Sequence, residues 1–291
     1  MAVSPTLLCA GFGYSARALA PRLLARGWHV LGTTRSADRM GAIHDMGVEP
    51  FVWNETEKPD ADMVCSASHI LASAAPDDSG DPALRDFGDA IRQSKTLRWV
   101  GYLSTTGVYG DRRGEWVDED SALHATTRRG QMRVKAEAAW QALDLPLHIF
   151  RLAGIYGPGR GPFSKVRKGT ARRIIKAGQV FSRIHCDDIA TVLEASIDRP
   201  APGAIYNVCD DLAAPPQQVI EYAAKLLNVP PPPEIAIQDA DLSPMAASFY
   251  AESKRVSNRR IKDELGVALA YPTYHEGLAA VLAAEKAHEP E

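Results

Sequence analysis

The stretch Thr6–Ala16, T-L-L-C-A-G-F-G-Y-S-A, constrains this chain more than any other. Thr6–Ala10 is a short apolar run, and Gly11-Phe12-Gly13-Tyr14-Ser15-Ala16 reads as the glycine turn of a dinucleotide site. An alanine-rich helix pattern, Ser15–Arg26, follows directly. Gly11 allows a tight turn, and Gly13 lets backbone N–H groups approach a pyrophosphate. Ala16 is small enough for helix and strand to pack closely, with the helix N-terminus facing the anion. A G-x-G-x-x-A alone is weak evidence; its place between a strand pattern and a helix pattern gives it weight.

His29–Thr33 reads as the second strand and delivers Thr34-Arg35-Ser36 at its end. A site that prefers NAD carries Asp or Glu there for the ribose 2′-OH, whereas an Arg pairs with the 2′-phosphate of NADP. Arg35 therefore points to NADP, with NAD as the alternative, and Ser36 offers a hydroxyl and a helix cap. Further strands are read at Glu49–Trp53, His69–Ala74, Arg98–Ser104 and Leu147–Leu152, with helices over Asp81–Ser94 and Thr126–Leu143. Ala74 and Ala75, at the end of the fourth strand, would let a ribose or adenine lie against the backbone. Strands alternating with helices make an α/β chain with a parallel, doubly wound sheet. Pro230–Pro233 is a stiff spacer or a break between a helix and the next strand.

Composition narrows the class. The 291 residues, 45% hydrophobic, can bury a full core. With 33 Lys+Arg against 36 Asp+Glu, the net charge of −3 argues against nucleic acid as a partner. Cys9, Cys65, Cys186 and Cys209 are far apart, which argues against paired disulfides or a metal site and for a reducing cytoplasm. No signal peptide and no run long enough for a bilayer is read in the chain, so no membrane partner is expected.

Ser104-Thr-Thr-Gly-Val-Tyr-Gly110, Arg151-Leu-Ala-Gly-Ile-Tyr-Gly-Pro158, His185-Cys-Asp-Asp-Ile-Ala190, Ala204-Ile-Tyr-Asn-Val-Cys-Asp210 and Lys254-Arg-Val-Ser-Asn258 come in an informative order. Together they resemble the extended short-chain dehydrogenases/reductases, the NAD(P)-dependent epimerase/dehydratase group, in its atypical branch. The resemblance implies a Rossmann domain, 1–153 plus about 186–204. It also implies a smaller substrate domain, about 154–185 plus 205–291, and an enzyme of small molecules that is allowed to form a homodimer.

The catalytic centre departs from the family pattern. That pattern has a Tyr-x-x-x-Lys helix after the Ser/Thr motif, in which the Lys lowers the Tyr pKa and holds the nicotinamide ribose. Thr105 matches the family's catalytic Ser/Thr, with Thr106 beside it. Lys135 is read at the motif Lys, and four residues earlier stands Gln131, an amide that does not titrate. The literal match Tyr250-Ala-Glu-Ser-Lys254 lies in the expected substrate domain and is read as chance, with Lys254 and Arg255 lining a pocket or capping a helix. Tyr109 and Tyr156 are phenols near the expected site, and His185 is read as a packed side chain beside an Asp helix cap.

From Arg160 to Cys186 there is no acidic residue but eight basic ones, among them Arg160, Arg172 and Arg173. The resemblance sets this insert over the cofactor cleft, where it would attract an anionic substrate; a solvated face is the alternative. Asp111–Asp120 is read as a solvated acidic loop. Two functions stay open: an NADP-dependent oxidoreductase or epimerase/dehydratase on a small anionic or nucleotide-sugar substrate, and a non-catalytic NADP(H)-binding redox sensor or interaction protein.

Overall fold

The computed structural model describes residues 4–287. Its strands are β1 (Thr6–Ala10), β2 (His29–Thr34), β3 (Glu49–Val52), β4 (His69–Ala72), β5 (Trp99–Thr105), β6 (Trp116–Val117), β7 (Leu147–Leu152), β8 (Gly154–Tyr156), β9 (Arg173–Ile175), β10 (Arg183–His185), β11 (Ile205–Val208), β12 (Glu234–Ala236) and β13 (Arg255–Val256). Its helices are α1 (Tyr14–Ala25), α2 (Met40–His44), α3 (Ala61–Ser66), α4 (Pro82–Gln93), α5 (Arg128–Gln141), α6 (Phe163–Arg167), α7 (Cys186–Asp198), α8 (Pro216–Leu226), α9 (Pro244–Tyr250), α10 (Arg259–Asp263) and α11 (Tyr274–Ala287).

Seven strands form one parallel sheet in the order β11-β7-β5-β4-β1-β2-β3. Chain order reverses between β1 and β4, and a doubly wound sheet opens a crevice at the carboxyl ends of the strands at such a point. Both faces are covered, so the strands read as apolar runs rather than alternations. On one face α1 and α7 pack through Leu19, Leu23, Ile189 and Leu193. On the other, α3, α4 and α5 pack through Val64, Phe87, Ile91, Ala136 and Trp140. A third apolar cluster lies among α6, α8 and α11, built on Phe163, Ala223 and Leu278. Among the described residues no helix is long and apolar enough to cross a membrane. The four cysteines are free thiols.

The six expected strands are present, with shifts of one or two residues at their ends. The seventh, β11, joins the central sheet beside β7, so the expected boundary at 204/205 cuts in front of a sheet strand. Its I-Y-N-V pattern hides Asn207, which is fully buried because its N–H donates to Glu119 Oε1 at 2.8 Å and its side chain accepts from the Tyr109 hydroxyl at 2.7 Å. The same contact corrects the reading of Asp111–Asp120 as solvated. Glu119 is buried, and Asp111 accepts the Ser253 N–H at 2.8 Å, which ties this loop to the segment after α9. Helix α7 is capped by His185, whose Nδ1 accepts the Asp187 N–H at 3.2 Å, and not by an aspartate. Asp188 instead accepts the Ala270 and Tyr271 N–H groups at 2.8 and 3.0 Å.

The phase of α5 is set by a buried ion pair. Arg151 on β7 meets Glu137 on α5, NH2 to Oε2 at 2.8 Å, with both side chains at 3% exposure or less. Arg151 also donates to the Tyr109 hydroxyl at 2.9 Å and to the Glu119 carbonyl at 3.2 Å, and Ser104 donates to Glu137. Burial alone would lower the Arg151 pKa, yet Glu137 and Tyr109 outweigh it and hold the pKa above its ordinary value. Removing one partner of such a pair leaves a buried charge uncompensated, at a cost of about 3–5 kcal/mol. Glu137→Ala is therefore expected to lower unfolding stability by about that amount. The apolar pair Glu137→Leu with Arg151→Met should recover most of the loss in chemical denaturation. A single variant as stable as the parent would contradict the assignment.

Candidate functional site

The glycine turn after β1 is held from three sides. The Gly11 N–H donates to Thr33 Oγ1 at 2.7 Å, Phe12 N–H to the Thr33 carbonyl at 2.8 Å, and Gly13 N–H to the Gly11 carbonyl at 2.9 Å. Gly11 has φ +97° and lies so close to β4 that a Cβ would sit 3.0 Å from the Ala74 nitrogen, so only glycine fits there. Helix α1 begins at once with no side-chain cap and no acidic residue in its first turn. Its leading N–H groups and positive dipole end therefore face the crevice.

Two adjoining cavities fill that crevice and share Gly13, Ser73 and Ala75. The outer one, about 1190 Å³, is lined at its rim by Gly11, Phe12, Thr34, Arg35, Arg39, Asn54 and Ala74. Among the described residues neither the Arg35 nor the Arg39 guanidinium has an ion pair or hydrogen bond, and both are exposed. Arg39 went unnoticed in the sequence because it lies four residues beyond the strand-end position, on a 3-10 turn over Ala37–Arg39. Ser36, expected to line the site and cap a helix, does neither: it stands at the cap position without a capping hydrogen bond, and its hydroxyl turns to Asp38 at 3.4 Å. Ala16 is fully buried in the α1 packing, while Tyr14 and Ser15 line the inner cavity.

The inner cavity, about 740 Å³, lies over the carboxyl ends of β5 and β7. Thr105 and Thr106 line it, and Thr105 Oγ1 accepts the Gly107 N–H at 3.2 Å. Gln131 and Lys135 do not line it. Both are exposed, and Gln131 Nε2 donates back to the Ala125 carbonyl at 3.4 Å. The cause is helix phase. Glu137, Ala136 and Trp140 turn inward, and Gly130 packs so tightly that a Cβ would stand 2.8 Å from the Gly107 carbonyl oxygen. Positions 131 and 135 then lie on the outer face. The pair with the same four-residue spacing that does line the cavity is Arg129 and Arg133.

The comparisons with known proteins fit this geometry. No protein-family model matches the chain. It is 29% identical over 278 residues to Protein YeeZ of Escherichia coli K12, covering 90% of this chain and 94% of YeeZ. The chain is thus similar to YeeZ along most of its length, and its Rossmann-like α/β fold matches that of epimerase/dehydratase structures. A solved structure from Silicibacter pomeroyi DSS, described as a functionally unknown conserved protein, is 55% identical with a TM-score of 0.91, covering 97% of this chain and all of that one. The human epimerase family protein SDR39U1, solved with NADPH, shares the fold at 18% identity and a TM-score of 0.73, over 96% of this chain and 99% of that one.

The basic insert divides on inspection. Arg160 lines the inner cavity, its guanidinium 5.6 Å from the Tyr14 ring centre. Arg172 and Arg173 do not: Arg172 donates to the Gly169 and Ala171 carbonyls of its own loop, and Arg173 pairs with Glu234 at 3.0 Å and Glu221 at 3.6 Å. Carboxylates from α8 and β12 thus neutralise a charge that looked free along the sequence. Tyr109, the other expected substrate contact, is fully buried between Arg151 and Asn207, and burial pushes its pKa up to about 12. Lys254 does line the cavity but is paired with Glu252 at 2.7 Å, and Tyr250 ends α9, so Tyr250 and Lys254 share no helix. The phenols Tyr14 and Tyr156 line the cavity with pKa values raised chiefly by burial, the opposite of what a proton-exchanging tyrosine needs.

Gly130→Ala tests the close approach that fixes α5. In an ordinary helix this change gains about 0.5–1 kcal/mol. Here the added methyl meets the Gly107 carbonyl, so thermal unfolding should show a loss, whereas Gln131→Ala on the outer face should stay within about 0.5 kcal/mol of the parent. A stabilised Gly130→Ala variant would contradict the helix placement.

Proposed function

We propose that the chain binds NADP(H) along the two adjoining cavities and works there as a short-chain-type oxidoreductase or epimerase/dehydratase on a small anionic substrate. The observation that carries this reading is the pair Arg35 and Arg39, two cations without partners among the described residues, at the outer end of a crevice whose middle is a glycine turn and a bare helix N-terminus. A ribose 2′-phosphate is the dinucleotide group that two such guanidiniums complement, and backbone N–H groups at α1 suit a pyrophosphate. The NADPH seen with the human SDR39U1 structure of the same fold supports the same choice. The nicotinamide end would then lie in the inner cavity, where that group would supply or take up a hydride. Thr105 would hold the substrate oxygen through its hydroxyl, whose own acceptor site is engaged by Gly107.

A second reading, a dinucleotide-bound sensor without turnover, is favoured by one observation. The helix face over Thr105 carries two arginines, and a guanidinium does not give up its proton in a protein. In the enzyme reading the cleft stabilises a developing alkoxide by fixed hydrogen-bond donors, with proton exchange left to solvent water.

Fluorescence titration decides the cofactor. NADPH should bind more tightly than NADH by about 1–3 kcal/mol, the usual worth of a charge-assisted contact. Arg35→Ala with Arg39→Ala should erase the gap and leave NADH affinity unchanged. Equal affinities in the parent protein would overturn the choice of NADP.

A further inference from the structure

Arg129 and Arg133 stand one helical turn apart on the inward side of α5, and both line the inner cavity. Side chains four residues apart on a helix are neighbours, close enough to grip one oxyanion together. Arg133 is half-buried and clamped along one edge: its NH1 donates to the Leu103 carbonyl at 2.6 Å and to the Tyr102 hydroxyl at 3.0 Å. Its other nitrogens carry no hydrogen bond to the described residues. Thr105 lines the same cavity as Arg129 and Arg133, at the carboxyl end of the strand whose Leu103 carbonyl holds Arg133. Arg129 is steered by α9, with its guanidinium 5.1 Å from the Phe249 ring centre and its NH2 3.2 Å from Ser248 Oγ.

Charge around the cavity runs one way. Among the described residues no carboxylate pairs with Arg129, Arg133 or Arg160, and the one acidic residue that lines the cavity, Glu252, is already paired with Lys254. Guanidiniums without carboxylate partners in a recess draw and hold anions, and Arg presents a planar fork that fits a carboxylate or a phosphate. We propose that Arg129 and Arg133 form an oxyanion clamp that takes the carboxylate or phosphate group of the substrate and sets its neighbouring carbon–oxygen centre against Thr105. The site thereby selects small acids or phosphate esters over neutral alcohols and carbonyls. This rests on the proposed function for the meaning of the substrate, while the clamp itself is a binding site testable without it.

The experiment is calorimetric titration of inorganic phosphate and, separately, of malonate into two proteins: the parent saturated with NADPH, and Arg35→Ala/Arg39→Ala without dinucleotide, which removes the competing outer anion site. Both should bind the probes, and added salt should weaken binding. Arg129→Ala and Arg133→Gln should each weaken binding by roughly tenfold or more, with Arg133→Lys in between because it keeps the charge and loses the fork. A preference for phosphate or for malonate names the substrate's acid group, and either supports the clamp. Arg129 is exposed, so its variant keeps the test valid if the Arg133 variants lose the fold, which circular dichroism would reveal. No probe binding in either protein, or binding to the NADPH-saturated protein that survives Arg129→Ala, overturns the clamp. Failure of NADPH to bind, with probe binding intact in the dinucleotide-free variant, would overturn the cofactor reading alone.

Discussion

The buried pair of Glu137 and Arg151 governs more of this molecule than its two side chains suggest. It joins β7 to α5, carries Tyr109 and the Glu119 loop with it, and with Gly130 against Gly107 fixes the rotation of α5 about its own axis. Once that rotation is fixed, the positions one and two turns toward the N-terminus, Arg133 and Arg129, have to open into the cavity over Thr105. Glu137, Arg133 and Arg129 are thus one stripe of the helix. Its inner end is neutralised by Arg151, and its outer end is left charged toward the crevice. A core interaction thereby chooses which chemistry the site presents.

The site has the same logic from end to end. Among the described residues Arg35 and Arg39 at the outer cavity have no partner and Arg129, Arg133 and Arg160 at the inner one have no carboxylate partner; between them runs an uncapped helix N-terminus. Some cations outside the crevice are paired: Arg173 with Glu234 and Glu221, Arg167 with Glu285, Lys262 with Asp211. Cations without carboxylate partners in concave places create a positive local field, and that field is the basis of the proposed anionic ligand.

Much of this was legible in the sequence. The run Thr6–Ala10 followed by Gly11, Gly13 and Ala16 specified strand, turn and helix through local sterics, and Arg35 at the end of β2 announced the missing acidic residue. Those signals are local, and local signals survive without coordinates. Gln131 and Lys135 have the spacing of the family motif but lie exposed outside the cavity, and nothing nearby in sequence fixes helix phase. The phase comes from Arg151, fourteen residues away on another strand, and from Gly107 below the helix. The basic insert misled for the same reason, since the carboxylates that neutralise Arg173 lie about fifty and sixty residues downstream. Asn207 and Glu119 hid because each is a polar group whose partner is supplied only by the fold.

A crystal structure of the protein grown with NADPH tests the central claim, that one crevice reads a phosphorylated dinucleotide at its outer end and presents an oxyanion clamp at its inner end. The account predicts the 2′-phosphate between Arg35 and Arg39, the pyrophosphate at the start of α1, and the nicotinamide beside Thr105 with Arg129 and Arg133 facing the open space above it. A dinucleotide bound outside the crevice, or one whose 2′-phosphate points away from both arginines, would contradict it.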